Sequence, residues 1–340
     1  MTDVLGKIKH GVWDVFCKKW IWNGFCVNQL YKKFDRYKGW LYLSPALVLL
    51  LIFTVWPIFN TVRISFLEDY NSLSAMRGME FEYGFKNFVQ VIQYDGFIKC
   101  LTNTMLLCVL TVPISTILAL IIAVCLNSIK FLSRFIQTIF FLPYVTNSIA
   151  IGMVFAAMFS VIGNFDSGLI DTYGIINNVL SWFGVDPIDW MGTGSGTWPN
   201  YVVMVVYIVW NALPFKILIL LGGLQSVNKQ YYEAAKIDGT PRLRVFTKIT
   251  VPLLSPMITY VVITGFIGGF KEYSSIVGVF GDKMGPTGDS GRLNTMVGFI
   301  YDSLPQQQLG RASAAAIILF GIIFVVTMIN LYVSKKKTHY

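Results

Sequence analysis

Between residues 231 and 256 the chain reads YYEAAKIDGTPRLRVFTKITVPLLSP. Glu233 and Lys236 stand three residues apart, the spacing at which a carboxylate and an ammonium share one helix face. Asn228 is placed to cap the start of that helix with its side-chain oxygen. Gly239 suits the left-handed position that ends a helix. Thr240 and Pro241 then restart one, as capping hydroxyl and first helical residue. Two readings fit. The segment is a capped amphipathic connector, or it is a rigid lever on which the small faces of Ala234 and Ala235 let a partner approach closely.

Other residues with chemical capacity are few. The two histidines, His10 and His339, lie near the two ends of the chain, and no Asp falls inside an apolar run. A Ser–His hydrolase or an aspartyl protease working within a membrane is therefore excluded. Cys17, Cys26, Cys100, Cys108 and Cys125 are odd in number and form no C-x-x-C pair, so neither a disulfide framework nor a zinc site is expected. Gly192, Gly194 and Gly196 in MGTGSGTW lack the lysine and the preceding strand of a phosphate loop and read as a flexible turn. Trp190 and Trp198 beside them are expected at a lipid–water interface. One apolar run carries Trp210, Asn211, Pro214, Phe215 and Lys216, with Lys216 expected to snorkel to a membrane surface. Another, ITGFIGGFKEYSSIVG, has Gly265 and Gly269 in a G-x-x-x-G helix-packing spacing, followed by Lys271 and Glu272. Asn147 is a weaker candidate and fits an interhelical hydrogen bond as well.

The elements that hold these residues follow from composition. Of 340 residues 55% are hydrophobic and 13% charged, against about 25% charged in soluble domains. A membrane-crossing helix needs about 20 mostly apolar residues. Five runs meet that length, at 41–64, 101–127, 136–162, 201–224 and 314–333, and a shorter, glycine-rich sixth spans 249–270. None alternates as barrel strands do. The expectation is an all-α polytopic membrane protein with six transmembrane helices over 41–334. A basic, aromatic leader precedes them at 1–40, and a short tail follows at 335–340. The leader shows no signal-peptide cleavage pattern. It fits an interfacial helix on an anionic membrane or a solvated basic tail.

Charge orients the spans. The leader, Lys130 and Arg134, the loop 225–248 and the tail together hold 18 basic and 5 acidic residues. The connections 63–99, 161–199 and 271–311 hold 8 basic and 13 acidic. The two sets alternate along the chain, so by the positive-inside rule both termini and the 231–248 segment face the cytoplasm. The net charge of +9 is then a consequence of membrane topology, and no nucleic-acid partner is expected.

The spacing Glu233-Ala234-Ala235, three residues, Gly239, nine residues, Ile249-x-Val251-Pro252 resembles the EAA loop of ATP-binding-cassette importer permeases. Val251 stands where that pattern has leucine, and Asn228 where sugar permeases commonly have proline. LSPALVLLLIFTVWPIFNTVRISF, NTMLLCVLTVP, FFLPYVTNSIAIG, IDW and GRASAAAIILF resemble the carbohydrate branch related to the maltose permease. The short 161–199 connection is similar to the compact six-span form common in Gram-positive bacteria. The resemblance implies the type I ABC importer fold, in the plasma membrane of a bacterium. It implies a coupling loop at about 228–252, in which Glu233, Ala234, Ala235, Gly239 and Pro252 meet a cytoplasmic ATPase. It implies as partners a second homologous permease subunit, two ATP-binding subunits that use ATP and Mg, and an extracellular solute-binding protein, with no cofactor on this chain. It also implies a sugar path lined by Asn211, Phe215, Gly265, Gly269 and Glu272. Alternatives are a permease of this type for a polyol or glycerol phosphate, and an energy-independent channel. A phosphate substrate would call for an arginine cluster in the path, and the apolar runs contain none.

The topology is directly testable. With single cysteines placed at Gly194 or Lys236 in a cysteine-free background, an impermeant maleimide on intact cells should label only Gly194→Cys. Labelling of Lys236→Cys would overturn the assignment.

Overall fold

The computed structural model describes residues 38–40, 42–129, 133–164, 169–192 and 194–337. The leader before residue 38, Lys130 and His339 lie outside the described residues. The chain divides into two units, Met1–Arg63 and Ile64–Tyr340.

Most of the first long helix, α1 (Tyr42–Ser65), belongs to the first unit; it is long and apolar enough to cross a membrane. Its middle, Leu51–Val55, widens into a π-helical turn in which the Trp56 N–H bonds the Leu51 carbonyl. Pro57 explains the widening. Proline offers no N–H, and its ring crowds the carbonyl four residues back.

The second unit opens with two short helices, α2 (Ser72–Met76) and α3 (Lys86–Gln93). The long α4 (Asp95–Ser128) follows. Next come α5 (Ser133–Val145) and α6 (Ser148–Phe159), a two-stranded antiparallel pair β1 (Val161–Asn164) and β2 (Leu169–Tyr173), and α7 (Ile175–Trp182). The second half holds α8 (Thr197–Ser226), α9 (Gln230–Ile237), α10 (Arg242–Leu253), α11 (Ser255–Phe270), α12 (Ser274–Phe280), α13 (Met296–Ser303) and α14 (Leu309–Lys337). Among the described residues four helices, α1, α4, α8 and α14, are each long and apolar enough to cross a membrane. Two bent pairs bring the count to six if each is one span: α5 with α6 at 98° and α10 with α11 at 69°.

The bent pairs depart from the continuous runs of the sequence. The 136–162 run breaks at Thr146–Asn147, where Pro143 precedes the break and Asn147 caps α6 by accepting the Ile149 N–H at 2.9 Å. Asn147 is thus a helix cap. The run also ends earlier than expected, at Phe159, and continues as strand β1.

The centre of the second unit is α4. Its small residues Ala119 and Ala123 are fully buried against Leu220 and Leu224 of α8 and Leu254 ahead of α11. Nearer its start, Cys108 packs with Phe270 and with Ala314 and Ala315 of α14. Tyr207 of α8, also fully buried, lies under Phe155 of α6 and reaches Ser148 at the start of that helix.

Buried asparagines tie the loops at one end. The Asn103 amide donates to the carbonyls of Arg292 and Asn294, both at 2.9 Å, and its oxygen accepts the Tyr201 hydroxyl at 2.5 Å. Arg292 donates to the Ser195 carbonyl at 2.6 Å and to Asp289 at 2.7 Å. That guanidinium holds the Asp289 carboxyl below the usual carboxylate range. Asn177 accepts the Trp190 indole N–H at 2.9 Å. Trp190 is therefore buried, contrary to the interface expectation, because its one donor has a protein acceptor; Trp198 is exposed. The connections 161–199 and 271–311 thus meet.

Gly152 of α6 and Gly278 of α12 let two helix backbones touch. A Cβ on Gly152 would lie 2.7 Å from Gly278 backbone carbon. Neither backbone can yield as a side chain does, so Gly152→Val should lower stability by about 1–3 kcal/mol. Thermal unfolding of the purified protein in detergent measures this, with Gly222→Val, which meets open space, as the control for helix propensity.

Candidate functional site

Two places collect the residues singled out in the sequence. The first is the charged segment between α8 and α11. The Asn228 side-chain oxygen accepts the Gln230 N–H at 3.0 Å, which starts α9. The helix ends as its sequence dictates: Gly239 has φ +65°, and the Thr240 N–H returns to the Ala235 carbonyl at 3.0 Å. Only glycine takes that backbone region without strain. The restart comes one residue later than expected. Pro241 is extended and caps α10, whose first helical residue is Arg242, and the Thr240 hydroxyl makes no cap.

Ala235 is buried, while Glu233, Ala234 and Lys236 are exposed. Ile237 and Leu243, 87% and 75% exposed, put bare apolar side chains on a charged segment. α9 is tied back to α10 by a 3.4 Å contact from the Tyr232 hydroxyl to Thr250 Oγ1. Residues Phe246–Thr250 form a second π-helical turn, immediately followed by Val251 and Pro252. Pro252 is exposed on α10.

The second place is a cavity of about 300 Å³ walled by α4, α8, α11 and the segment after it. Asn211, Phe215, Gly265, Gly269 and Glu272 all line it. Asn211 and Phe215 are one turn apart on α8 and share a face. The Phe215 ring stacks on Tyr144, centroids 5.8 Å apart and planes 19° apart. Tyr144 sits at the end of α5 beside the bend, and it was not singled out from sequence; the Pro143–Asn147 punctuation around it was the available signal.

Gly265 and Gly269 are where α11 closes on α4. A Cβ at Gly265 would lie 3.1 Å from Val112 and 3.2 Å from Lys216 Nζ, and one at Gly269 would lie 2.7 Å from Cys108 Sγ. The half-buried Glu272 follows α11. Its carboxylate accepts the Ser275 N–H at 3.3 Å, and its backbone carbonyl accepts the Thr295 hydroxyl at 2.8 Å.

Lys216 corrects the snorkelling expectation. It is 4% exposed, and its ammonium donates to Ser115 Oγ at 2.6 Å, Thr116 Oγ1 at 3.0 Å and the Val112 carbonyl at 3.2 Å. All three acceptors belong to one turn of α4, so the ammonium's three donors are used inside the protein. The residue binds α8 to α4 at the cavity wall. Among the described residues no group of three or more potential metal ligands occurs.

Residues 113–339 match the family described as binding-protein-dependent transport system inner membrane component, and the chain belongs to that family. It is an integral membrane component of a transport system and not an enzyme. It is 30% identical over 303 residues to the lactose transport system permease protein LacF of Rhizobium radiobacter, covering 88% of this chain and 93% of that one. It is 31% identical over 312 residues to the arabinooligosaccharides transport system permease protein AraP of Halalkalibacterium halodurans, covering 90% and 91%. The same fold occurs in the crystal structure of a bacterial ABC transporter that imports the acidic polysaccharide alginate. There the TM-score is 0.72 at 21% identity, over 92% of this chain and 100% of that one.

The buried ammonium makes a sharp prediction. Lys216→Met keeps the stem and removes the charge, and replacing a buried ion by an apolar side chain of similar size is often neutral or stabilising. Lys216→Glu sets a carboxylate against the Val112 carbonyl and should cost about 3 kcal/mol or more. Thermal unfolding should therefore separate the two variants widely. A snorkelling side chain would tolerate both.

Proposed function

We propose that this chain is the permease subunit of an ATP-driven importer for a sugar, most simply an oligosaccharide. The observation that carries the reading is the convergence of Asn211, Phe215, Gly265, Gly269 and Glu272 on one cavity, beside α8, which leads directly to the exposed α9. An aromatic face for a sugar ring and an amide and a carboxylate for its hydroxyls make suitable partners. Relatives named for lactose and arabinooligosaccharides support the substrate class.

In this reading the chain forms six spans, each bent pair counting as one, with both termini in the cytoplasm of a bacterium, Gram-positive by the compact 161–199 connection. The leader at 1–40 and the tail at 335–340 lie on the cytoplasmic side. A second permease subunit completes the path. Two cytoplasmic ATPase subunits use ATP and Mg, and one of them receives α9 through Glu233, Ala234 and the exposed Ile237. The left-handed Gly239 and Pro252 fix the angle at which α9 leaves the membrane-embedded helices. A solute-binding protein delivers the sugar from outside. A structural neighbour was crystallised with an alginate pentasaccharide-bound periplasmic protein, which supports that partner.

Two variants test the two halves of the reading. Glu272→Gln keeps size and removes charge. Charge-assisted hydrogen bonds are about twice as strong as neutral ones, so half-saturation of sugar uptake should rise about ten-fold or uptake should cease, while assembly and basal ATPase activity persist. Wild-type uptake by both Glu272→Gln and Glu272→Ala would remove Glu272 from the path. Glu233→Lys should leave the protein inserted and uncouple ATP hydrolysis from uptake. Normal sugar-stimulated hydrolysis with normal ATPase co-purification would sink the coupling assignment.

A further inference from the structure

A larger cleft, about 670 Å³, opens between α3 and the turn that joins α13 to α14. It lies among the connections 63–99 and 271–311, the set assigned above to the outer face, and none of its residues belongs to the cavity at Asn211. Its lining is rich in side-chain amides: Gln90 and Gln93 from one face of α3, and Gln306, Gln307 and Gln308 from the turn. The amides of Gln90, Gln93, Gln306 and Gln308 form no hydrogen bond with any described residue.

Three observations set this cleft apart from ordinary solvated surface. Asp69 and Gln307, both in its wall, hold left-handed backbones at φ 52° and 56°. Such conformations are strained for residues other than glycine and collect at functional positions. The Gln307 Oε1 and Arg311 Nε atoms are buried without a hydrogen-bond partner, a condition that costs stability unless something supplies the partner. The Arg311 guanidinium carbon also lies over the rings of Tyr94 and Phe299, 5.2 Å from each centroid, and no carboxylate among the described residues pairs with it.

We propose that the cleft is a second saccharide site, at the outer face, that holds part of the sugar before it enters the path. The class of ligand follows from the donors and acceptors. A primary amide presents both, which matches the hydroxyl groups of a sugar, each of which also donates and accepts. Tyr70 and Tyr94 also line the same wall. The volume falls in the range of small-ligand sites, about 300–1,000 Å³. A protein-docking surface would instead centre on apolar and aromatic anchors with few charges at its core. The proposal rests on the sugar-import reading for its substrate and on the charge-derived topology for its outward face.

The test uses the full chain in right-side-out membrane vesicles, with no binding protein added. Diazirine-bearing maltotetraose and diazirine-bearing trigalacturonate serve as a neutral and an acidic probe, and labelled peptides are mapped by mass spectrometry. Either probe should label the peptides that carry Gln90–Gln93 and Gln306–Gln308. The double variant Gln90→Leu, Gln306→Leu removes two exposed amides that the fold does not use. It should lower that labelling about ten-fold, the scale of one or two lost hydrogen bonds, and leave labelling of α8 and α11 unchanged. Label confined to α8 and α11, or cleft labelling indifferent to the double variant, would overturn the proposal. So would a cleft that takes no sugar label but whose double variant loses affinity for a purified solute-binding protein, since that is a protein-docking surface. Cleft labelling by a chain that supports no sugar uptake would leave this site standing and bring down the import reading instead. No label anywhere on the chain would overturn both.

Discussion

Within a bilayer there is no water to satisfy a stray backbone N–H or carbonyl, so each must find its partner in the protein. This constraint governs the whole structure. It makes every long apolar run helical, and it decides where a run is allowed to break. The two bends fall at 98° between α5 and α6 and at 69° between α10 and α11. At the first, Asn147 supplies a side-chain acceptor to the newly exposed N–H of Ile149. At the second, Leu254 is buried against α4 and α8, and its N–H and carbonyl are bonded to Thr250 and Ile258. The second bend lies within protein, whereas Tyr144–Asn147 at the first are exposed and the Asn147 side chain supplies the missing acceptor.

The same accounting governs the polar side chains inside the fold. Serine and threonine hydroxyls of α4 bond carbonyls of their own helix, Ser115 to Thr111 and Thr116 to Val112. They thereby present their oxygens outward as acceptors, and the Lys216 ammonium occupies them. An ion that would be costly in hydrocarbon is instead solvated by one helical turn. Asn103, nearer the start of α4, works alike, using its amide hydrogens on the Arg292–Asn294 loop and its oxygen on Tyr201 of α8.

How much of this was legible in the sequence depends on the range of the interaction. The turn at Gly239 was readable because its cause is local: a glycine after a capped helix ends it. The five cavity residues could be named because the resemblance supplied a register, and the structure places them together. Long-range partners were not readable. Lys216 meets acceptors about a hundred positions away, and nothing in its own run distinguishes a buried ammonium from a snorkelling one. Trp190 was misplaced for the same reason, its acceptor being on the preceding helix α7. The break in the third run escaped because the polar dip at Pro143–Asn147 is short and apolar sequence resumes directly after it. The β1–β2 pair escaped because it takes over directly from an apolar helix. The cleft at Gln307 escaped because it is assembled from α3 and a turn more than two hundred residues later.

The two π-helical turns, Leu51–Val55 and Phe246–Thr250, each stand just ahead of a proline. A π turn holds one residue more than the α-helical turn it replaces. One added residue rotates everything downstream by about 100° around the helix axis. In α10 the charged stretch with Arg242 and Arg244 and the closing turn Val251–Leu253 are therefore out of phase by a quarter-turn or so. Each half can present its own face to its own surroundings. The heptad logic of a single straight helix would have forced one of the two to compromise. The extra residue acts as a phase shifter at the boundary between two solvents.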